Sequence, residues 1–126
     1  MVFDNVKAIG EGKKTQMCKP VAPGQALTHG GVIGKNGYPV YAIGSVHRLR
    51  EFHAPGNGKK IIIQHIERIG RADCLPKSQI KSQGYKDLNE YLEAFAKKYG
   101  WKSLERPAWR ITFKLVEKRG RSPRTW

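Results

Sequence analysis

Acidic residues are scarce in this chain: 10 Asp and Glu stand against 24 Lys and Arg in 126 residues, giving a formal charge of +14 and a sequence pI near 10.1. A domain this basic repels itself, so charge retained on such a scale points to a polyanionic partner rather than to solubility alone. Cysteine is scarce as well. Cys18 and Cys74 stand far apart with no short-spaced partner, which excludes a disulfide framework and a zinc knuckle and suits a reducing cytoplasm. No apolar run approaches the length of a membrane span, and no basic amphipathic helix is evident. Met1 to Asp4 carries neither the basic nor the apolar part of a signal peptide. The four histidines share no metal-ligand spacing and the carboxylates form no cluster, so neither metal nor cofactor is expected. The expectation is a cytoplasmic protein with a nucleic-acid partner and no membrane.

What is present suits one small domain. Val2 to Gly12 reads as a short helix with Asp4 as its N-cap, a glycine stop, and Val6 and Ile9 facing the core. Lys13 to Pro20 reads as an extended segment closed by proline. Val21 to Asn36 is glycine-rich and poor in large apolar residues, which predicts a long mobile loop. The glycines from Gly30 to Gly37 precede strand-like sequence, so no helix N-terminus is there to hold a phosphate. Tyr38 to Ile43 and Val46 to Phe52 read as strands, Pro55 to Gly58 as a hairpin turn, and Lys59 to Arg71 as the clearest strand. Leu88 to Tyr99 has apolar residues at helical spacing, Asp87 and Glu90 in a capping arrangement, and Gly100 at its stop. Trp109 to Leu115 alternates as a half-buried strand. Strands outnumber helices and do not alternate with them, which predicts an α+β fold: a small, mainly antiparallel barrel with two flanking helices.

The positive charge is not spread evenly. Ten basic residues fall between Lys97 and Trp126, opposed only by Glu105 and Glu117. Residues 119–126 hold no aliphatic core former and read as a basic tail beyond a domain of residues 1–118. Lys118, Arg119, Arg121 and Arg124 are its candidate phosphate contacts. Lys13, Lys14 and Lys19 form a second cluster, Arg48 and Arg50 a third, and Lys59 and Lys60 follow the hairpin turn. Arg48 and Arg50, two apart in a strand, are expected on one face. Tyr38, Tyr41, Trp101, Trp109 and Trp126 are interleaved with this charge. Large aromatics are mostly core, and Trp126 is the one expected to be exposed, where it would stack on unpaired bases.

Two stretches carry a family resemblance. Ile9-Gly10-Glu11-Gly12-Lys13-Lys14-Thr15-Gln16 is similar to the signature that ends the first helix of ASCH domains. Ile80 to Leu92, continuing through Tyr99-Gly100-Trp101, resembles that family's acidic-Gly-aromatic block and following helix. The resemblance spans most of Ile9 to Val116 and implies a PUA-like barrel with a helix beside a cleft. It also implies nucleic-acid recognition, with RNA expected rather than DNA. On this reading Lys13, Lys14, Thr15 and Lys19 lie at the cleft, and Arg48, Arg50, Lys59 and Lys60 track the backbone.

Some relatives in that family resemble hydrolases acting on N4-acetylcytidine, and others resemble ribonucleases. The resemblance aligns the amidohydrolases' lysine with Lys14 and their following basic residue with Lys19. It aligns their threonine with Met17 and their glutamate with Gln83. Methionine has no hydroxyl to orient water, and glutamine accepts no proton. Thr15 is adjacent, but strand neighbours point to opposite faces. The expectation is therefore binding without catalysis. The alternative is an RNA-directed hydrolase using Lys14, with His47 as base; His47 and His53 bracket Arg48 and Arg50, and His29 and His65 are further candidates. A weaker alternative is a basic module that docks an acidic protein. Asp73 beside Arg71 is expected to be an ion pair rather than part of a site.

Overall fold

The computed structural model describes Ile9, residues 14–48 and residues 59–117. Ile9 is helical and fully buried; the rest of the helix expected over Val2 to Gly12 lies outside the described residues, as do the Pro55 to Gly58 turn and the tail. Among the described residues the strands are β1 (Gln16–Pro20), β2 (Ala26–Thr28), β3 (Gly31–Ile33), β4 (Pro39–Ala42), β5 (Val46–Arg48), β6 (Lys59–Ile69) and β7 (Ala108–Glu117). Between β6 and β7 the chain forms a 3-10 turn (Ala72–Cys74), a short helix α1 (Lys77–Ile80), the helix α2 (Leu88–Tyr99) and a second 3-10 turn (Trp101–Glu105).

The strands form two antiparallel sheets, one ordered β1-β7-β6-β5 and the other β2-β3-β4. The expected closed barrel is thus a half-barrel. The backbone explains why: on β1, the edge strand, the Thr15 and Gln16 N–H groups both donate to the Ser82 carbonyl, at 2.8 and 2.9 Å. The helical excursion after β6 occupies an edge that a closing strand would need.

The loop expected over Val21 to Asn36 is a correction of the same kind, because it contains β2 and β3. Glycine there serves pairing rather than looseness. Gly31 has φ +124°, and a Cβ on it would lie 2.1 Å from the Tyr41 carbonyl oxygen of β4. Only glycine allows that close cross-strand approach. The turn before it is fixed by Thr28, whose hydroxyl donates to the Gly31 carbonyl and accepts from the Gly30 N–H.

Two apolar clusters lie on opposite faces of the four-stranded sheet. On one face Met17, Ile61, Ile63, Ile66, Ile111 and Phe113 pack with Ile9, Trp109 and Val32 of β3. On the other, Cys18 and Ala108 meet Ile80, Tyr91 and Phe95 from the helices. Each fully buried aliphatic or aromatic side chain contributes about 1.5–3 kcal/mol, so the period-2 pattern of β6 and β7 fixes which face turns inward. At the start of α2 the Asp87 carboxylate accepts from the Glu90 N–H at 2.9 Å, and Glu90 accepts from the Lys86 N–H at 3.3 Å. Gly100, at φ +92°, ends the helix with its N–H on the Ala96 carbonyl. Among the described residues no helix is long and apolar enough to cross a membrane.

Candidate functional site

β1 presents alternate residues to the two faces of the sheet, and this decides where its lysines go. Gln16 and Cys18 face the helices, and Lys14 enters the same side. Lys14 lines a small cavity with Met17, Cys18, Gln83, Tyr85 and Tyr91, completed by residues of α2 that include Lys98 and Tyr99. The positions matched by resemblance to Lys, Thr and Glu, namely Lys14, Met17 and Gln83, therefore do converge. The cavity holds only about 20 Å³, room for a single water molecule.

The side chains around Lys14 close it. Lys14 is 3% exposed, and its ammonium sits 5.2 Å from the centroid of the Tyr85 ring, within cation–π range. Its stem runs across Gly84, whose φ is +91° and whose absent Cβ would lie 3.1–3.3 Å from Lys14 side-chain carbons. Gln83 is buried; its N–H reaches the Gln79 and Ile80 carbonyls, and its side-chain amide donates to Gln16 Oε1 at 3.5 Å. Gln16 in turn donates to Thr112 Oγ1 at 3.3 Å.

The protonation states of the cavity follow from its dryness. Burial pushes the Cys18 thiol up, against the opposing influence of its Tyr91 contact and of the Arg110 and Lys14 charges. Burial pushes the Tyr91 phenol up as well, and its hydroxyl donates to the Ala72 carbonyl at 2.8 Å. Both groups stay protonated at neutral pH. The described residues that line the cavity include no carboxylate and no histidine.

The remaining candidates separate. Lys19 is buried and pairs in register with Trp109, on the face opposite Cys18, so it does not share a cleft with Lys14. Thr15 is exposed. His47 lies on β5, at the far edge of the sheet from β1, and three strand spacings put roughly 14 Å between those edges. Its Nε2 is 2.9 Å from Ser45 Oγ, and the Ser45 hydroxyl donates to the Ala42 carbonyl at 2.6 Å. Ser45 is thereby an acceptor toward His47, and burial lowers the His47 pKa. Asp73 forms the expected ion pair with Arg71, at 2.9 and 2.7 Å. Lys13, Arg50, His53, Lys118, Arg119, Arg121, Arg124 and Trp126 lie outside the described residues.

A second feature is the end of the helix-side sheet face where Lys114 and Val116 are exposed rather than packed under the helices. In register, Arg48 lies opposite Lys60 and Lys60 opposite Val116; Val46 lies opposite Ile62 and Ile62 opposite Lys114; His65 lies opposite Thr112 and Thr112 opposite Gln16. Paired residues share a face, so these rows set lysine, arginine and histidine positions among half-exposed aliphatic ones. Beside them Arg110 is paired with Glu67. Lys59, one residue before Lys60, pairs with Glu117 and belongs to the other face. Lys114 was legible in the sequence only as one charge of an alternating strand; its place in the row depends on long-range register.

Two aromatics expected in the core are on the surface: Trp101 is 67% and Tyr38 71% exposed, whereas Trp109 is buried. Trp101 is lifted out because Gly100 turns the chain off α2 immediately before it.

No family model matches the chain, and no curated protein matches it. Among solved structures it is similar to the crystal structure of an ASCH domain from Lactobacillus crispatus JV V101, at 14% identity and a TM-score of 0.67. The match covers 89% of this chain and 70% of that one. The chain has an ASCH-like fold.

Proposed function

We propose that this protein is a nucleic-acid-binding module with RNA as its partner and no hydrolytic step of its own. The observation that carries the reading is the exposed end of the helix-side face of the four-stranded sheet, where Arg48, Lys60 and Lys114 occupy adjoining register positions in a chain of charge +14. Phosphates are the natural counter-charge for such rows. Exposed aromatics favour strands with unpaired bases, which RNA offers more often than duplex DNA. The ASCH-like fold agrees with this class of partner. The hydrolase alternative is weakened by the small size of the cavity at Lys14, whose described lining residues include no carboxylate and no histidine.

The test uses labelled single-stranded RNA, duplex RNA and DNA, titrated at low and physiological salt, with a parallel aliquot on a denaturing gel. Single-stranded RNA is expected to bind most tightly, with steep salt dependence and intact strands. The Lys60→Ala, Lys114→Ala double variant should lower the magnitude of the log–log salt slope by about 1.4, or roughly 0.7 per lost single-strand phosphate contact. Binding indifferent to salt, or unchanged in the double variant, refutes the interface. Cleavage that survives repurification and is lost in Lys14→Ala would make the protein a hydrolase.

A further inference from the structure

An open depression on the surface is separate from both features above. It has a volume of about 370 Å³ and is lined by Asp73, Trp101, Lys102, Leu104 and Glu105, within the usual range for a small-ligand site. Leu104 is buried and gives it an apolar floor; Trp101 gives it an exposed indole.

The depression rests on a fixed frame. The Ser103 hydroxyl donates to the Tyr99 carbonyl at 2.7 Å, the Arg106 N–H reaches the Ser103 carbonyl, and the Ala72 N–H reaches the Arg106 carbonyl. These bonds tie the Trp101–Glu105 turn to the Ala72–Cys74 turn. The two carboxylates differ. Both Asp73 oxygens accept from Arg71, and that contact holds the Asp73 carboxyl below the usual range. The Glu105 side chain is 70% exposed and lies 3.8 Å from Arg71, so its oxygens remain open to an incoming donor.

We infer that this depression is a stacking site for one unpaired guanine of a bound RNA strand, with Trp101 as platform, Glu105 as reader and Lys102 beside the phosphate. This rests on the nucleic-acid-binding reading above. A carboxylate only accepts hydrogen bonds. Guanine's Watson–Crick edge offers two adjacent donors, N1–H and the N2 amino group, which match its two oxygens. Cytosine, adenine and uracil each offer one donor group beside an acceptor that the second carboxylate oxygen would repel. Stacking on an indole tolerates any base, so Trp101 supplies affinity and Glu105 the preference.

The experiment titrates the full chain with labelled twelve-nucleotide uridine tracts carrying a single central G, A, C or U. The strand with G should bind about fivefold or more tightly than the all-uridine strand, as one added base contact of this kind implies. Trp101→Ala should weaken every strand by about fivefold, and Trp101→Phe should restore most of the loss. Glu105→Gln should abolish the preference for G, bringing the ratio of the G-strand affinity to the all-uridine affinity to about one. Thermal melts verify that each variant is folded. Equal affinity for the four strands, or no effect of Trp101→Ala, overturns the site. If the wild type binds salt-dependently through Lys60 and Lys114 while Trp101→Ala is neutral, this site alone fails. If the wild type binds none of the strands at low salt, the site and the binding reading fail together.

Discussion

Replacing Gly84 with alanine tests whether Lys14 is a sealed structural residue. Gly84 has φ +91°, a region that costs an L-residue about 1–2 kcal/mol. The new Cβ would also meet Lys14 Cδ, Cβ and Cγ at 3.1, 3.2 and 3.3 Å, inside ordinary van der Waals separation and against a side chain with little room to move. Together these predict a loss of about 2–3 kcal/mol, or roughly 10 °C in Tm for a domain of this size, read by urea and thermal denaturation. The two parts are separable by background. Lys14→Met keeps the stem, so Gly84→Ala should cost as much there as in the wild type. Lys14→Ala removes Cγ and Cδ, two of the three contacts, so the same change should cost about 0.5 kcal/mol less or better. Equal costs in all three backgrounds, or a Gly84→Ala variant as stable as the parent, would mean that Lys14 does not lie across this glycine.

Two further predictions follow from the protonation chemistry. Cys74 is exposed whereas Cys18 is buried with its thiol pushed up by burial, so a thiol-reactive dye should label Cys74 rapidly and Cys18 only on unfolding; rapid labelling of both, located by peptide mass spectrometry, would mean the cavity opens readily. Burial lowers the His47 pKa below its ordinary value of 6.5, so the unfolded chain takes up the extra proton and stability falls as the pH drops through and below 6.5; His47→Gln should show a shallower loss between pH 7 and 5, and an identical pH profile in the variant would refute the assignment.

Much of the fold was legible because local signals agreed with one another. β6, β7 and α2 read correctly because each carries its own period, and α2 also carries its cap and its glycine stop. The failures were of two physical kinds. Val21 to Asn36 was read as loop because its strands are three residues long and depend on Gly31, whose role as a close-approach residue depends on the distant Tyr41. Trp101 and Tyr38 were expected inside because size predicts burial on average, but Gly100 directs Trp101 outward. The convergence of Lys14, Met17 and Gln83 was anticipated only through resemblance; spacing alone cannot bring residue 83 to residue 14. The contribution of Cys18 to that cavity was signalled only by strand parity from Gln16 and that of Tyr91 by helical spacing on α2, while nothing local signalled Tyr85, which precedes the helix.

Charge clusters in the sequence turn out to be poor guides to charged surfaces, and the reason is parity. Lys59 and Lys60 are adjacent, so the strand sends them to opposite faces; Lys14 and Lys19 differ by an odd number and part in the same way. Lys60 and Lys114, more than fifty positions apart, come to one face through β6–β7 register. On the proposed reading, net charge suggests the class of partner, whereas register selects the residues placed to meet it. The sealed cavity fits the same view. Lys14 is buried, and a buried cation must be compensated by its surroundings to persist. Its stacking on Tyr85 and its packing across Gly84 supply part of that compensation and tie the segment after α1 to the edge of β1. The lysine aligned by resemblance with a catalytic residue thus bridges the helix layer and the sheet, and changes to it or to Gly84 are expected to register first in stability.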